Sequence, residues 1–184
     1  MRIVGGRFGG RRLAGPKSDK VRPTSDRTRE SLFNIFSTRV DLSGKRVIDL
    51  FAGTGALGLE ALSRGAAYAL FVDDSAEGRA LLRTNIEQLG LQGCTRIFRR
   101  DATRLGPCGN MPPYGIAFLD PPYGRELGTR ALAALLEGGW LTEDAIVVLE
   151  ESASAMPDGI AGYEVLDRRV FGDTAIAIMT PGKT

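Results

Sequence analysis

The sequence predicts an α/β protein whose core is a doubly wound, mostly parallel β-sheet. From residue 46 onward, short apolar runs alternate with helical stretches, and acidic or glycine residues follow the ends of these runs. This alternation is typical of parallel sheets joined by right-handed crossovers. The last two apolar runs are separated by a short turn alone, which predicts an antiparallel hairpin at the C-terminal end of the sheet.

The N-terminal residues 1–24 are rich in Gly, Arg and Lys and predict an irregular arm with one short hairpin. Ser25 or Asp26 can cap the helix that follows. A chain of 184 residues favours one domain. Within that domain we assign residues 1–45 to a basic N-terminal arm and helix, and residues 46–184 to the main α/β body.

Seven strands are predicted in the body. In chain order they are RVIDLFA, YALFV, RIF, GIAFL, AIVVLE, YEVLDRRV and TAIAIM. Glycines such as Gly65 and Gly90 end the helices that follow the first two strands. The result is a Rossmann-like seven-stranded sheet, mostly parallel, with a C-terminal antiparallel hairpin. Sheets of this kind bind ligands beyond the carboxyl ends of their strands.

Composition excludes several classes of protein. The chain is 43% hydrophobic and 25% charged, which is typical of globular domains. It contains no histidine, the commonest metal ligand and general base, and the spacing of Cys94 and Cys108 predicts neither a disulfide framework nor a zinc site. No apolar run has membrane-spanning length, and the N-terminus does not resemble a signal peptide. We therefore expect a cytoplasmic monomer without metal or membrane attachment.

The charges are distributed unevenly along the chain. Residues 1–46 carry 12 Lys and Arg against 4 Asp and Glu, whereas residues 47–184 carry 12 against 18. A basic N-terminal piece joined to an acidic body indicates a polyanionic partner for the basic end. A solvated arm without a partner is the alternative.

A glycine-rich loop follows the first predicted strand. Gly53 to Gly58 reads G-x-G-x-x-G between a strand and a helix, so the backbone can approach a ligand closely. Asp73 ends the second strand, 18 residues after Gly55, where an acid can bind the hydroxyls of a ribose. Together these features predict a cofactor that contains adenosine.

The acid within the first strand favours S-adenosylmethionine over NAD. Sites for NAD keep this stretch apolar and place the pyrophosphate at the helix N-terminus. Asp49 would repel a pyrophosphate but would favour the cationic methionine end of S-adenosylmethionine.

Gly78 is an unusual residue for its position, because it lies inside a predicted helix. Glycine in a helix interior destabilises the helix by about 1 kcal/mol relative to alanine.

The motif Asp120-Pro121-Pro122-Tyr123 follows the fourth predicted strand. An exocyclic amine on a nucleobase is a poor nucleophile, because its lone pair is delocalised into the ring. Acceptors for its N–H groups would stabilise the positive charge that develops during methyl transfer. The Asp120 carboxylate and the Pro121 carbonyl are suitable acceptors, the prolines fix the turn, and Tyr123 offers a face on which a base can stack.

These motifs resemble those of a known family. DLFAGTGALGLEALSRGA, FVDD, RRDA and FLDPPY are similar to the cofactor and catalytic motifs of class I methyltransferases that act on exocyclic amines. MRIVGGRFGGRRL and RPTSDRTRESLFNIF resemble the N-terminal motifs of the bacterial RsmD family, which methylates a guanine N2 in 16S ribosomal RNA. The resemblance covers almost the whole chain and implies an RNA substrate, as naked 16S rRNA or as 30S ribosomal particles.

The resemblance also implies separate roles for two groups of residues in the site. The residues implied to hold S-adenosylmethionine are Asp49, Gly53, Gly55, Asp73, Asp101 and Ala102. The residues implied to receive the target base are Asp120, Pro121, Pro122 and Tyr123. The N-terminal motif of the family, which borders the cleft, contains Thr24, Asp26 and Arg29, whose individual roles stay open.

The basic arm is the expected RNA contact, because its cations alternate with glycines and Phe8 and can follow a phosphate backbone. The residues expected to touch RNA are Arg7, Arg11, Arg12 and Arg22. Two other hypotheses remain open from the residues themselves. One is a methyltransferase for adenine N6 of DNA or RNA, or for a protein side-chain amide. The other is a binding domain without enzymatic activity on the same fold.

Overall fold

The computed structural model describes residues 1–17 and 25–183. Its helices and strands alternate through most of the chain. In order they are α1 (Asp26–Ser37), β1 (Arg46–Leu50), α2 (Ala56–Ser63), β2 (Tyr68–Val72), α3 (Ala76–Leu89), β3 (Thr95–Phe98), β4 (Tyr114–Leu119), α4 (Leu127–Glu137), β5 (Leu141–Ser152), β6 (Tyr163–Phe171) and β7 (Thr174–Pro181). Short 3₁₀ turns lie at Gly6–Phe8, Gln92–Cys94 and Ala102–Arg104.

The strands form one seven-stranded sheet in the order β3-β2-β1-β4-β5-β7-β6. The first five strands are mutually parallel, and β7 runs antiparallel to both β5 and β6. This confirms the predicted Rossmann-like, doubly wound sheet with its C-terminal antiparallel hairpin. The strand order reverses between β1 and β4, which is where ligands bind in open α/β sheets.

Side chains alternate between the two faces of the sheet and build two hydrophobic layers. On β1, Val47 packs into the layer that also contains Phe33 of α1. Its neighbour Ile48 packs into the opposite layer, with Leu135 of α4 and Trp140. The first is called layer one and the second layer two. Among the described residues, no helix is both long enough and apolar enough to cross a bilayer.

The first 17 residues contain the short hairpin that the sequence predicts, and they pack on the body of the fold, which the sequence does not predict. Arg2 and Arg12 form an antiparallel bridge, and Ile3 and Leu13 are buried in layer one. The Gly6–Phe8 turn lies against the end of α2, where a Cβ on Gly6 would meet the Ser63 carbonyl oxygen at 2.0 Å. Only glycine therefore permits this close approach of the backbone.

Buried Glu60 of α2 anchors this N-terminal segment. Its carboxylate accepts hydrogen bonds from the amides of Val4 and Gly5, each at 2.8 Å. It also pairs with Arg64 at 2.9 Å and with the buried Arg29 at 3.6 Å. One buried carboxylate thus contacts two amides and two guanidinium groups from three parts of the chain.

We predict that Glu60→Ala lowers the free energy of unfolding by about 3–5 kcal/mol, because it leaves the buried Arg29 guanidinium without one of its carboxylate partners. Urea denaturation followed by circular dichroism measures the change. Glu87→Ala, at an exposed helical position of α3, is the matched control and is expected to change stability by less than about 0.5 kcal/mol. Equal stabilities for the two variants would contradict this assignment.

Candidate active site at the carboxyl edge of the sheet

A cavity of about 610 Å³ opens at the carboxyl ends of β1, β2 and β4. Its volume lies within the range of small-molecule and cofactor sites. The predicted site residues that line it are Asp49, Gly53, Asp73, Asp120, Pro121, Pro122 and Tyr123. Met1 and Pro16 of the N-terminal segment also lie on its wall. The fold therefore brings the glycine loop and the Pro-Pro turn, 67 residues apart from Gly53 to Asp120, to one cavity.

The glycine loop is held by the Asp73 carboxylate. The Gly53 amide donates to Asp73 Oδ2 at 2.7 Å, and the Ser75 amide donates to Oδ1 at 2.8 Å. Gly53 and Gly55 both have positive φ angles, 54° and 80°, which favour glycine. Asp73 therefore fixes the loop and still presents its remaining lone pairs to the cavity.

The structure explains why helix α3 contains a glycine at position 78. A Cβ at this position would lie 3.2 Å from Asp73 Oδ1 and 3.4 Å from the Gly53 Cα. The first distance is shorter than most Cβ contacts, so a side chain here would require the Asp73 carboxylate to shift by a few tenths of an ångström. The intrinsic penalty of glycine in a helix is accepted here because α3 must pack closely against the glycine loop.

Asp49 is a buried acid at the base of the cavity. Its side chain Oδ2 accepts a hydrogen bond from the Gly58 amide at 2.9 Å. Burial raises the pKa of this carboxyl well above its usual value near 3.8; the Gly58 hydrogen bond opposes the rise, and the charges of Asp120 and Asp73 add to it. The site thus concentrates negative charge that its own hydrogen bonds do not fully compensate.

The Asp120-Pro121-Pro122-Tyr123 turn is anchored to the neighbouring strands. The Tyr123 hydroxyl donates to Glu150 Oε1 of β5 at 2.7 Å and lies 3.2 Å from the Thr174 hydroxyl of β7. The Gly124 amide donates to Glu151 at 3.1 Å. Burial is the main cause that raises the pKa of Tyr123 above 10, so this hydroxyl stays protonated and keeps donating.

Glu150 and Thr174 were missed by sequence reasoning. The signal for Glu150 was present, because this acid ends the predicted strand AIVVLE, which pairs with the strand that leads to Asp120. Thr174 carried no such signal, since its contact depends on β7 inserting between β5 and β6. These two residues hold the aromatic ring that the motif supplies.

Several predicted site residues lie outside the set that lines the cavity. They are Gly55, Asp101, Ala102, Asp26 and Arg29. Gly55 begins α2, and Asp101 begins the Ala102–Arg104 turn by accepting from the Thr103 amide at 2.8 Å. Their cofactor roles remain predictions.

Asp26 and Arg29 belong to the ion-pair network under the N-terminal segment. Arg29 is fully buried and pairs with Asp26 at 2.9 Å and with Glu60. It also donates to the carbonyl oxygen of Arg2. The structure therefore gives Arg29 a place in packing, away from the cavity wall. Thr24 and Arg22 lie outside the described residues, whereas Arg7, Arg11 and Arg12 are exposed.

The charges on the cavity wall fit a cationic cofactor. Five acids line it, namely Asp49, Asp73, Asp74, Glu77 and Asp120, and no Lys or Arg does so within the described part of the chain. A pyrophosphate would be repelled by this wall, whereas the sulfonium and ammonium groups of S-adenosylmethionine complement it. Within the same described part, no group of three or more His, Cys, Asp or Glu is arranged to hold a metal ion.

The strand order, the glycine loop and the Pro-Pro turn define a class I methyltransferase. The comparisons with known proteins agree with this class. The chain belongs to the family described as Conserved hypothetical protein 95, whose model matches residues 1–180. The chain is 37% identical over 178 residues to Ribosomal RNA small subunit methyltransferase D of Escherichia coli K12, covering 95% of this chain and 87% of the relative.

Further relatives support the same assignment. The protein of the same name from Haemophilus influenzae is 34% identical over 152 residues, covering 82% of this chain and 78% of its own. The solved structure of yhhF from Escherichia coli is 33% identical, covers 98% of this chain and 97% of its own, and superposes with a TM-score of 0.82. A magnesium protoporphyrin IX methyltransferase from Synechocystis, solved with bound SAM, is 17% identical over 85% of this chain and 79% of its own, with a TM-score of 0.64, and shares the fold.

We predict that Asp49→Asn raises the free energy of unfolding at pH 7 by about 1 kcal/mol, because burial disfavours the ionised carboxyl that the unfolded chain carries at this pH. The native state holds the Asp49 proton more tightly than the unfolded chain does. The contribution of Asp49 to stability is therefore full below about pH 3.8 and is lost as the pH rises through its raised native pKa.

Urea denaturation at several pH values measures this dependence. Asp74→Asn, an exposed acid on the same cavity wall, is the control and should leave the pH profile unchanged. A variant Asp49→Asn that is less stable than the original chain across this range would refute the electrostatic interpretation.

We also predict that Tyr123 and Glu150 are energetically coupled. In a double-mutant cycle, Tyr123→Phe and Glu150→Gln should show an interaction energy of about 1 kcal/mol, since they share one hydrogen bond to a charged acceptor. Urea unfolding of the single and double variants gives this energy. Tyr68→Phe combined with Glu150→Gln is the control pair and should be additive; additivity of the Tyr123 pair would show that the hydroxyl does not anchor the ring.

Proposed function

We propose that this methyltransferase transfers a methyl group from S-adenosylmethionine to the exocyclic N2 amine of a guanine in 16S ribosomal RNA. The observation that carries the proposal is the shared cavity, in which the Asp120–Tyr123 turn faces the glycine loop. The names of the relatives from Escherichia coli and Haemophilus influenzae support a small-subunit rRNA substrate. Guanine N2 is favoured by the resemblance of the N-terminal motifs.

The acidic half of the cavity is assigned to the cofactor. Gly53 and Asp49 would face its methionine end, and Asp73 would accept hydrogen bonds from the ribose hydroxyls. Asp101 and Ala102 would lie beside the adenine. Gly55, which has no side chain, would let the backbone of the glycine loop approach the cofactor closely. When bound, S-adenosylmethionine supplies an electrophilic methyl group on a positively charged sulfur.

The Pro-Pro turn is assigned to the target amine. Asp120 and the Pro121 carbonyl would each accept one N–H of the amine, which turns its lone pair toward the methyl group. The same two acceptors stabilise the positive charge that builds on nitrogen in the transition state. Rigid prolines, one buried and one exposed, hold these acceptors in place before the substrate arrives.

Tyr123 is assigned to stacking with the target base, which must leave its own stack to enter the cavity. Stacking on an aromatic ring contributes about 1–3 kcal/mol per base. The hydrogen bond to Glu150 restricts the ring before binding. Less conformational entropy is therefore lost when the base docks.

The N-terminal segment is assigned to RNA. Arg7, Arg11 and Arg12 are exposed on it, and Arg22 is assigned to the same role from sequence. Ile3 and Leu13 fix this segment to the body, so its cations are presented from an ordered surface. We further propose that residues 1–45 and 46–184 act as one domain of a cytoplasmic monomer, and that assembled 30S particles supply most of the binding surface.

The direct test incubates the purified protein with methyl-labelled S-adenosylmethionine and unmethylated 16S rRNA, both naked and in 30S particles. Nuclease digestion and mass spectrometry then identify the methylated nucleoside. We expect N2-methylguanosine. Methylation found only in N6-methyladenosine would overturn the guanine assignment, and transfer to protein alone would overturn the RNA assignment.

We predict that Asp120→Ala lowers kcat by about 10²–10³-fold while cofactor affinity changes little, because Asp120 acts on the amine in the transition state. Methyl-transfer kinetics and calorimetric titration with S-adenosylmethionine separate the two effects. Asp144→Ala, an exposed acid near the amino end of β5, is the control. Full activity in Asp120→Ala would place the chemistry elsewhere, and unchanged binding with no turnover in the original chain would favour a binding domain.

A further inference from the structure

A second cluster of arginines lies on the opposite side of the sheet from the N-terminal segment. Arg100 follows β3, and its guanidinium donates to the Leu105 carbonyl oxygen at 2.7 Å, so it lies over the Ala102–Arg104 turn. Arg104 on this turn and Arg130 on α4 both lie near Asp101. The Thr103 hydrogen bonds are the main cause that lowers the pKa of Asp101, and the charges of Arg104 and Arg130 add to it.

Phe98 extends this cluster along the edge strand β3. The guanidinium carbons of Arg96 and Arg100 lie 4.6 and 4.9 Å from the centre of its ring. Arg96 and Phe98 alternate along β3 and therefore share one face of the sheet, and Arg100, which follows the strand, reaches the same ring. Two exposed cations thus flank one half-buried aromatic ring.

The protein neutralises this cluster only in part, because Asp101 lies near Arg104 and Arg130 without forming an ion pair with either. Across the described ranges 1–17 and 25–183, no ion pair involves Arg96, Arg100, Arg104 or Arg130. On the other edge of the sheet, by contrast, Arg39 and Arg169 both pair with Asp167. Unpaired guanidinium groups gathered on an otherwise acidic body indicate an external anion.

The position of the cluster relates it to the active site. Helix α4 follows the Asp120–Tyr123 turn directly and packs against the Ala102–Arg104 turn. Phe98 packs against layer two, whereas Ile3 and Leu13 of the N-terminal segment belong to layer one. The two basic surfaces therefore lie on opposite layers, and the cavity opens at the sheet edge between them.

We propose that Arg96, Arg100, Arg104 and Arg130 form a second phosphate-binding surface for RNA, so that the substrate crosses the carboxyl edge of the sheet between two basic surfaces. This inference rests on the proposed function, because it takes RNA as the substrate. Guanidinium groups bind phosphate oxygens in a bidentate manner. The surface gives a small enzyme contacts on both sides of the flipped nucleotide.

The test measures binding of a 16S rRNA transcript by filter binding between 50 and 200 mM salt. For Arg104→Ala with Arg130→Ala, we expect about tenfold weaker binding at 150 mM salt. We also expect the slope of log K against log salt to become less negative by about 1.5, since each lost phosphate contact removes about 0.7–0.9 from it. Affinity for S-adenosylmethionine, measured by calorimetry, should stay unchanged and shows that the variant is folded.

Two comparison variants make the result specific. Arg169→Ala removes an exposed arginine from β6, the opposite edge of the sheet, and should bind as the original chain does. Arg11→Ala with Arg12→Ala should weaken binding through the first basic surface. Unchanged affinity and slope in Arg104→Ala with Arg130→Ala would overturn the second surface alone. An original chain that binds rRNA but methylates no rRNA would overturn the proposed function instead.

Discussion

The burial of Asp49 is the constraint on which the active site depends. A carboxylate placed under a cavity, with one backbone amide as its hydrogen-bond partner and two further acids nearby, destabilises the free protein. In the proposed function, this cost would be offset when the cationic cofactor enters the cavity. A site whose acidic groups are already in place before the ligand arrives needs little reorganisation on binding. The free protein is less stable because of this preorganisation.

The same charge arrangement separates two ligands of opposite sign. The cavity wall is acidic, whereas exposed arginines lie outside it, among them Arg7, Arg11 and Arg12 of the N-terminal segment and Arg130 of α4. In the proposed function, a polyanion would be attracted to these arginines and repelled from the acidic cavity wall. A flipped base, which carries no charge itself, would still enter at the Pro-Pro turn. Charge would then separate cofactor from substrate before any specific contact forms.

Much of this architecture could be predicted from the sequence, because local patterns determine it. Strand and helix periodicity predicted the sheet, and glycines and acids at strand ends predicted which residues meet at its carboxyl edge. The packing of residues 1–17 could not be predicted, since it depends on Glu60, a residue that looks like any helical acid. Its burial follows from contacts with amides 55 and 56 positions away in the chain. The Tyr123 anchor was missed for the same reason, because Thr174 lies 51 positions away.

The C-terminal hairpin therefore belongs to the active site as well as to the sheet. β7 lies between β5 and β6 and runs antiparallel to β5. The beginning of β7 therefore lies beside the end of β5. Ser152 pairs with Thr174 in this register, which brings the Thr174 hydroxyl to the edge where β4 ends. A parallel strand in that place would present its opposite end there. The reversed direction of β7 is thus what allows a residue from the last part of the chain to support the ring of Tyr123.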